Sequence, residues 1–455
     1  MMAWIRLDPL TRRRLQRFRS IRRGWIAFLI LGAAIGLAVF APYLAESRAL
    51  LVWTQGRLLL PTFDYHPMSA FGQAPPPGWS ADQIEADYFR LQREWQLQHR
   101  LYAQGAAAAG GDAKALAALA ARYPHHGDFV VMPPIPWNPY QSDFWSAEVL
   151  GDLQQSLDAG HPAAAEARAR RDGLDSLADA IRDGRVAALL ADPARAGERS
   201  LAALARAGAL PLPPGIGALP PTPPDALRRH WLGTDSQGRD VAARLLYGFR
   251  ISIFFALFLV LTGQVIGTVI GSLQGYLGGA FDIVSQRGIE ILVAIPFLYV
   301  VIVLAALFQP SFWLLVAIMA AFQWISITFY MRTEMYREKT REYCLAARSY
   351  GASHWRIVFR HLLPNCLTPL VTFTPFAVVG AIFALTGLDY LGYGLPPPTP
   401  SWGELMSQAL ESGNRGKLWL TLAPFGALTA TLVLVVFIGE SVREAFDPKP
   451  YARYE

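Results

Sequence analysis

ISIFFALFLVLTGQVIGTVIGSLQGY, residues 251–276, decides the fold class. The run exceeds the roughly 20 mainly apolar residues that a helix needs to cross a bilayer core. Working outward, the same test marks further runs at 289–308, 312–331, 367–388 and 418–438. An earlier one runs from Gly24 to Leu44, with Trp25 and Tyr43 as interfacial anchors. Its length exceeds the usual apolar region of a cleaved signal peptide, so it is expected to be retained. The chain therefore reads as an all-α membrane protein with six transmembrane helices. Pro296, Pro369, Pro375 and Pro424 fall inside these runs, where neighbouring helices can satisfy the freed carbonyls.

Composition agrees: 53% of the 455 residues are hydrophobic and 17% charged, against about 25% charged in a soluble domain. A pI near 9.3 could suggest nucleic acid. The basic residues decide otherwise, because Arg12, Arg13, Arg14, Arg17, Arg19, Arg22 and Arg23 stand directly before an apolar run, the usual place for topology-setting charge. Six spans starting inside put both termini in the cytoplasm. The same side then holds Arg332, Arg337, Lys339, Arg341, Arg348, Arg356 and Arg360, and the tail with Arg443 and Lys449.

The expected organisation is a basic N-terminus (1–23), a first span (24–44), a periplasmic insert (45–229) and an interfacial amphipathic helix (230–250). A five-span core (251–440), with its cytoplasmic loop at 332–366, and a cytoplasmic tail (441–455) complete it. The insert has no cysteine, so no disulfide holds it. Its first part, with Pro75–Trp79 and Pro133–Tyr140, reads as extended chain with aromatic packing points. Asp82 to Tyr102 reads as a helix with Ile84, Tyr88, Leu91, Trp95 and Leu101 near one face. Leu174, Leu177, Ile181 and Leu189 suggest short amphipathic helices, and Pro211 to Pro224 a proline-rich link. His125-His126 lacks a carboxylate or third histidine at ligand spacing, so it reads as a solvated turn and no metal site is expected.

The loop REYCLAARSYGASHWRIVFRHLLPN, residues 341–365, is the most informative. Tyr343, Ala346, Ala347 and Tyr350 follow helical spacing, and Trp355, Val358, Phe359 and Leu362 repeat it. Gly351 can end the first helix in a left-handed conformation, Ser353 can cap the second, and Pro364 stands where that helix should stop. Small alanines and the basic rim of Arg348 and Arg356 suit docking in a groove on another protein. A basic hairpin lying on the membrane surface fits the periodicity equally.

The segment resembles the EAA loop of ATP-binding-cassette importer permeases through Ala346, Ala347, Gly351, Leu363 and Pro364, with Leu345 where that pattern has a glutamate. A second set of motifs resembles the oligopeptide/dipeptide/nickel permeases, closest to the Yej-type branch. It comprises HWLGTDSQGRD at 230–240, Gly275-Tyr276-Leu277-Gly278-Gly279 with Asp282, and DYLGYGL at 389–395 followed by PSWG at 400–403. This resemblance implies a MetI-like permease fold importing peptides or peptide-like compounds, microcin C among them. It makes Tyr343, Ala346, Ala347, Arg348, Gly351, Trp355, Arg356 and Pro364 the contact with a motor ATPase. Its implied partners are a second permease of the same system, ATPase subunits carrying ATP and Mg, and a periplasmic peptide-binding protein. No phosphate-cradling glycine–lysine run occurs in this chain, so no cofactor of its own and no enzymatic activity are expected.

Gly233, Thr234, Asp235, Gly238, Arg239 and Asp240 form the interfacial motif. Thr234 or Asp235 could cap a helix whose Val241, Leu245 and Phe249 point to the membrane, so capping and interfacial anchoring explain the charges better than catalysis does. Gln264, Gln323, Ser326 and Thr328 lie within spans, where polar side chains are costly, and are candidates for a pathway or for interhelical bonds. A secondary transporter and a membrane-anchored sensor are the competing classes. The first should show symmetric interrupted halves, and the second needs a site in the insert.

Overall fold

The computed structural model describes residues 9–73, 75, 80–143, 145–192, 200–212, 220–226 and 228–446. The chain divides into two compact units. One takes Met1–Ala38, Gly248–Ser407 and Pro424–Glu455; the other takes Val39–Tyr247 and Gln408–Ala423.

A basic helix α1 (Pro9–Ser20) precedes the apolar α2 (Arg22–Val39) and a short α3 (Ala41–Leu44). The insert opens with strands β1 (Leu51–Thr54) and β2 (Arg57–Leu59), followed by helices α4 (Tyr88–Ala108) and α5 (Ala113–Arg122) and strand β3 (Phe129–Val131). The strands form one antiparallel sheet in the order β2-β1-β3, with Val52 opposite Leu59 on one side and Val130 on the other. Tyr88, Phe89, Leu91 and Trp95 of α4 pack with Val52 and Val130. The expected helix at 82–102 is thus displaced: Asp87 caps it by accepting from the Arg90 amide at 2.9 Å, and Leu101 is exposed. The sheet is an addition that the reading of the proline-rich segments as extended chain does not specify, since its strands lie outside them.

Helices α6 (Trp145–Asp158), α7 (Pro162–Arg171), α8 (Asp175–Arg182), α9 (Arg185–Ala191) and α10 (Leu201–Arg206) follow. Leu150, Leu153, Leu174, Leu177, Ile181 and Leu201 are buried in their shared core. Burial of each such side chain contributes about 1.5–3 kcal/mol, which gives this cysteine-free region its own cohesion. Pro76–Trp79 and residues 213–219 of the proline-rich link lie outside the described residues, as does Lys449 in the tail.

Helix α11 (Val241–Leu277) is continuous over 37 residues, about 55 Å at 1.5 Å per residue. The expected break between an interfacial helix at 230–250 and a span from 251 does not exist, since residues 230–240 are turns and the helix begins at Val241. Then come α12 (Gly279–Ala294), α13 (Phe297–Leu307) and α14 (Phe312–Glu338). The expected span at 289–308 is corrected: α12 and α13 are bent by 71° at Ile295 and Pro296. Proline disfavours the helical conformation at the residue before it, and Ile295 is extended (ψ 119°). On α12, Arg287 donates to Glu290 at 2.6 Å.

The loop helices α15 (Glu342–Ser349) and α16 (His354–Arg356) lead to α17 (Thr368–Tyr390), α18 (Trp402–Leu410) and α19 (Leu418–Phe446). Pro375 lies inside α17 and Pro424 inside α19, while Pro369 begins α17. Among the described residues, five helices (α2, α11, α14, α17 and α19) are long and apolar enough to cross a membrane, or up to six spans if the bent α12–α13 pair counts as one.

Helices α11 and α14 approach closely through a glycine on α11 every fourth residue. A β-carbon at Gly267 would lie 2.3 Å from the Trp324 carbonyl, one at Gly271 2.5 Å from the Thr328 carbonyl, and one at Gly275 2.5 Å from the Arg332 carbonyl. Small residues in membrane helices permit such backbone approach, where packing rather than the hydrophobic effect drives association.

Candidate functional site

The loop at 341–366 is built as a helix pair. Helix α15 ends at Gly351, whose φ of +76° lets its amide donate to Arg348 O at 3.0 Å and the Ala352 amide donate to Ala347 O at 3.1 Å. Ser353 then accepts from the Arg356 amide at 3.4 Å and starts α16. The helix widens into a π turn over Ile357–Leu362 and tightens to a 3₁₀ turn at Leu363–Cys366, which contains Pro364.

Cys344, Ile357, Val358 and Leu362 are buried against Met331 and Met335 of α14. The opposite face is open. Tyr350 is 91% exposed, Trp355 63% and Leu345 50%, and the Trp355 and Phe359 rings stack with centroids 5.4 Å apart. Ala346, Arg348, Gly351, Arg356 and Pro364 are also exposed, and Ala347 is half-buried.

The two apolar sets read from spacing are therefore divided. Val358 and Leu362 turn inward, whereas Trp355 and Phe359 turn outward, and the inward Cys344 and Ile357 belonged to neither set. Tyr343 turns its hydroxyl back to donate to Glu338 at 3.1 Å. Burial and the Glu338 carboxylate push that hydroxyl up to about 12, so it remains a donor.

The loop is anchored at the ends of α11 and α14. Arg332 donates two bonds to Asp282 (2.6 and 2.7 Å), and the Tyr336 hydroxyl donates to the same carboxylate at 2.6 Å. Lys339 Nζ donates to Gly275 O at 2.7 Å and lies 4.2 Å from the Tyr336 ring centroid. Tyr276 lies beneath both loop helices, its hydroxyl 3.0 Å from His354 Nδ1 and its ring centroid 5.8 Å from the Arg348 guanidinium carbon. Loop periodicity could not reveal these anchors. The only signal was the Gly275–Asp282 motif itself.

Three of the four polar span residues meet. Gln264, Gln323 and Ser326 line a cavity of about 300 Å³ with Phe322, Tyr330 and Phe373, the last two stacked at 4.1 Å. Thr328 is absent from that lining. It is fully buried in the α11–α14 seam, donating to Trp324 O at 2.8 Å and to Gly267 O at 3.3 Å.

The motif at 233–240 folds as a buried turn. Asp235 accepts from the amides of Gln237 and Arg239, both at 2.9 Å, and from Arg239 Nε at 2.8 Å; Arg244 Nε lies 3.4 Å away. The expected cap is corrected: Asp240 caps α11, accepting from the Ala243 amide at 2.7 Å, while Thr234 bonds Thr222 (2.8 Å). Gly233 and Gly238 make the two tight corners of this turn.

His230 lies 2.8 Å from Asp240 and 3.0 Å from Asp143, stacked on Trp137 at 4.4 Å. Arg228 holds Asp143 with two bonds of 3.1 Å. Burial works against charge on both, but the ion-pair partners outweigh it, so His230 sits above the usual imidazole range and Asp143 far below the usual carboxylate range. Every carboxylate here is consumed by capping or pairing.

In the insert, His125 pairs with Asp128 at 2.7 Å and stacks on Trp95, while His126 stacks on Tyr102. Among the described residues no group of three metal-ligating side chains converges.

Comparison with known proteins adds the following. Residues 267–450 match the family described as binding-protein-dependent transport system inner membrane component. Over 220 residues the chain is 44% identical to a peptidoglycan transport system permease protein of Agrobacterium fabrum, covering 48% of this chain and 57% of that protein. It is 45% identical over 228 residues to an inner membrane ABC transporter permease protein of Escherichia coli, covering 50% of this chain and 66% of that one. Against a dipeptide transport system permease protein of Bacillus subtilis it is 34% identical over 227 residues, covering 50% and 70%. The chain thus spans somewhat under two thirds of the first two relatives.

Proposed function

The chain belongs to the family of binding-protein-dependent transport inner membrane components, and from that premise we propose that it is the permease subunit of an ATP-driven importer of peptides or peptide-bearing compounds. The relatives' names support that substrate class, the Agrobacterium protein being named for peptidoglycan and the Bacillus protein for dipeptides. Microcin C-like compounds fall within it. The chain carries the solute pathway, and partner subunits bind ATP and Mg and hydrolyse the nucleotide. A second permease of the same system and a periplasmic peptide-binding protein complete the assembly. Both termini lie in the cytoplasm, in keeping with the arginines of α1 and the basic loop.

The observation that carries this reading is the two-faced loop. One face is locked onto α11 and α14. The other presents Tyr350, Trp355 and Leu345 outward beside a basic rim. Aromatic anchors on a rigid helix pair suit a groove on another protein. Closing and reopening of an ATPase dimer would move this pair, and the spans bearing Gln264, Gln323 and Ser326 would alternate the cavity between the two sides.

The test is co-purification of the ATPase subunits with the full chain, with and without ATP. Tyr350→Ala combined with Trp355→Ala should lower recovery at least tenfold while leaving thermal stability unchanged. Undiminished recovery would remove the docking role from this face.

A further inference from the structure

Tyr276 offers a specific link between the loop and the spans. Helix α14 reaches the loop covalently, through Lys339, Thr340 and Arg341. Helix α11 has no such connection, because its chain leaves at Leu277 toward α12. Movement of the loop therefore reaches α11 through non-covalent contacts: indirectly along the α11–α14 seam, and directly through side chains.

In the buried cluster beneath the loop, the residue from α11 is Tyr276, 4% exposed. Its hydroxyl meets His354 Nδ1 at 3.0 Å, and the two rings stand edge to face at 5.6 Å. From the other loop helix, Arg348 lies against the same ring. The Tyr276 and Gly275 carbonyls accept from Lys339 Nζ at 3.4 and 2.7 Å. Both loop helices thus touch one side chain, and the C-terminal cap of α14 holds the backbone under it. Gln264, on the cavity wall, stands 12 residues (about three turns) earlier on the same helix.

We propose that Tyr276 is a positioning residue for transport, carrying displacement of the docking helices into α11 through its bond to His354. The bond is part-buried, a hydroxyl withdrawn from water is penalised when it loses its partner, and the packed cluster around the Tyr276 ring yields little, so α11 follows the loop rather than releasing it. The proposal rests on the loop being the ATPase contact.

The test uses the full chain assembled with its partner permease and ATPase subunits in lipid nanodiscs, carrying Ser326→Cys in the cavity wall as a reporter. The measurement is the rate of labelling by a polar maleimide with and without ATP and vanadate. With Tyr276 present, nucleotide should change the rate at least tenfold. Tyr276→Phe keeps the ring, so ATPase association and thermal stability should hold while the nucleotide response falls to within twofold. His354→Ala should act alike, the double variant should be no worse, and His354→Asn, whose amide places a hydrogen-bonding atom where Nδ1 stands, should keep the response. A full response in Tyr276→Phe overturns this inference alone. No ATPase association, or no nucleotide response with Tyr276 intact, overturns the reading of the loop on which it rests.

Discussion

Gly267→Ala is the sharpest test of how the spans are held together. The added β-carbon would sit 2.3 Å from the Trp324 carbonyl oxygen and 2.3 Å from Ile327 Cγ2. The isoleucine can turn away, but the carbonyl belongs to the backbone of α14. A carbon–oxygen contact needs about 3.3 Å, so α11 and α14 must part locally by about 1 Å. A gap of that size forfeits roughly a quarter to a half of the dispersion energy of the contacts it opens. It also breaks the 3.3 Å bond from Thr328 to the Gly267 carbonyl, worth about 0.6 kcal/mol for an interhelical bond in a membrane. Overpacking of a tight site costs about 1–3 kcal/mol, and the helix preference of alanine over glycine returns up to about 1 kcal/mol. The net expectation is destabilisation by about 1–2 kcal/mol. Gly380→Ala on α17 is the matched control, since nothing lies within 4 Å of its added carbon; it should be neutral or slightly stabilising. Thermal unfolding of the purified full chain in detergent, followed by loss of the monodisperse peak, reads both. Equal midpoints for the two variants would refute the claim that backbone contact at Gly267 sets the helix spacing.

Three further outcomes are expected. Gly351→Pro places a residue confined to negative φ at +76° and deletes the amide that bonds Arg348 O, so uptake and ATPase recovery should fall at least tenfold with membrane insertion intact; normal uptake contradicts the role of the turn. The His230 cluster should be pH-dependent. His230 stabilises the fold fully below the ordinary imidazole value near 6.5, and that share is lost as pH rises through its raised value. Asp143 stabilises above the ordinary carboxylate value near 3.8 and loses its share only as pH falls through its depressed value. Unfolding midpoints should therefore decline above about pH 6.5 in the parent and less so in His230→Gln, and identical slopes would exclude the cluster as the cause. Leu345→Glu puts a carboxylate on a half-exposed site; ATPase association should persist but become salt-sensitive, as measured by recovery across an ionic-strength series. Loss of stability instead would show that Leu345 packs inward.

The spans were legible because membrane crossing leaves a compositional mark: about 20 apolar residues in a row need no knowledge of what they touch. Proline inside such a run is ambiguous, since Pro375 and Pro424 stay within helices while Pro296 ends one and bends the pair by 71°. The difference depends on neighbours that can satisfy the freed carbonyls, and that is tertiary information. The sheet of the insert was hidden for a related reason, as Val52 pairs with Val130, 78 positions further along the chain, and only four or three residues make each strand.

At the loop, local rules located the parts but assigned some faces wrongly. Glycine and serine marked the turn and the cap because their roles are set within a few residues. A period of 3.6 assumes an α-helix throughout, and the π turn at Ile357–Leu362 breaks that assumption just where the inner and outer stripes run side by side. Val358 and Leu362 then share an inner stripe while Trp355 and Phe359 share an outer one, each pair four residues apart. The outer stripe bears on Leu345. With Leu345, Tyr350 and Trp355 all exposed, the face has more apolar surface than one carrying the family's glutamate. Docking here would then depend on apolar contact at its centre, with Arg356 left to meet acidic groups at the rim.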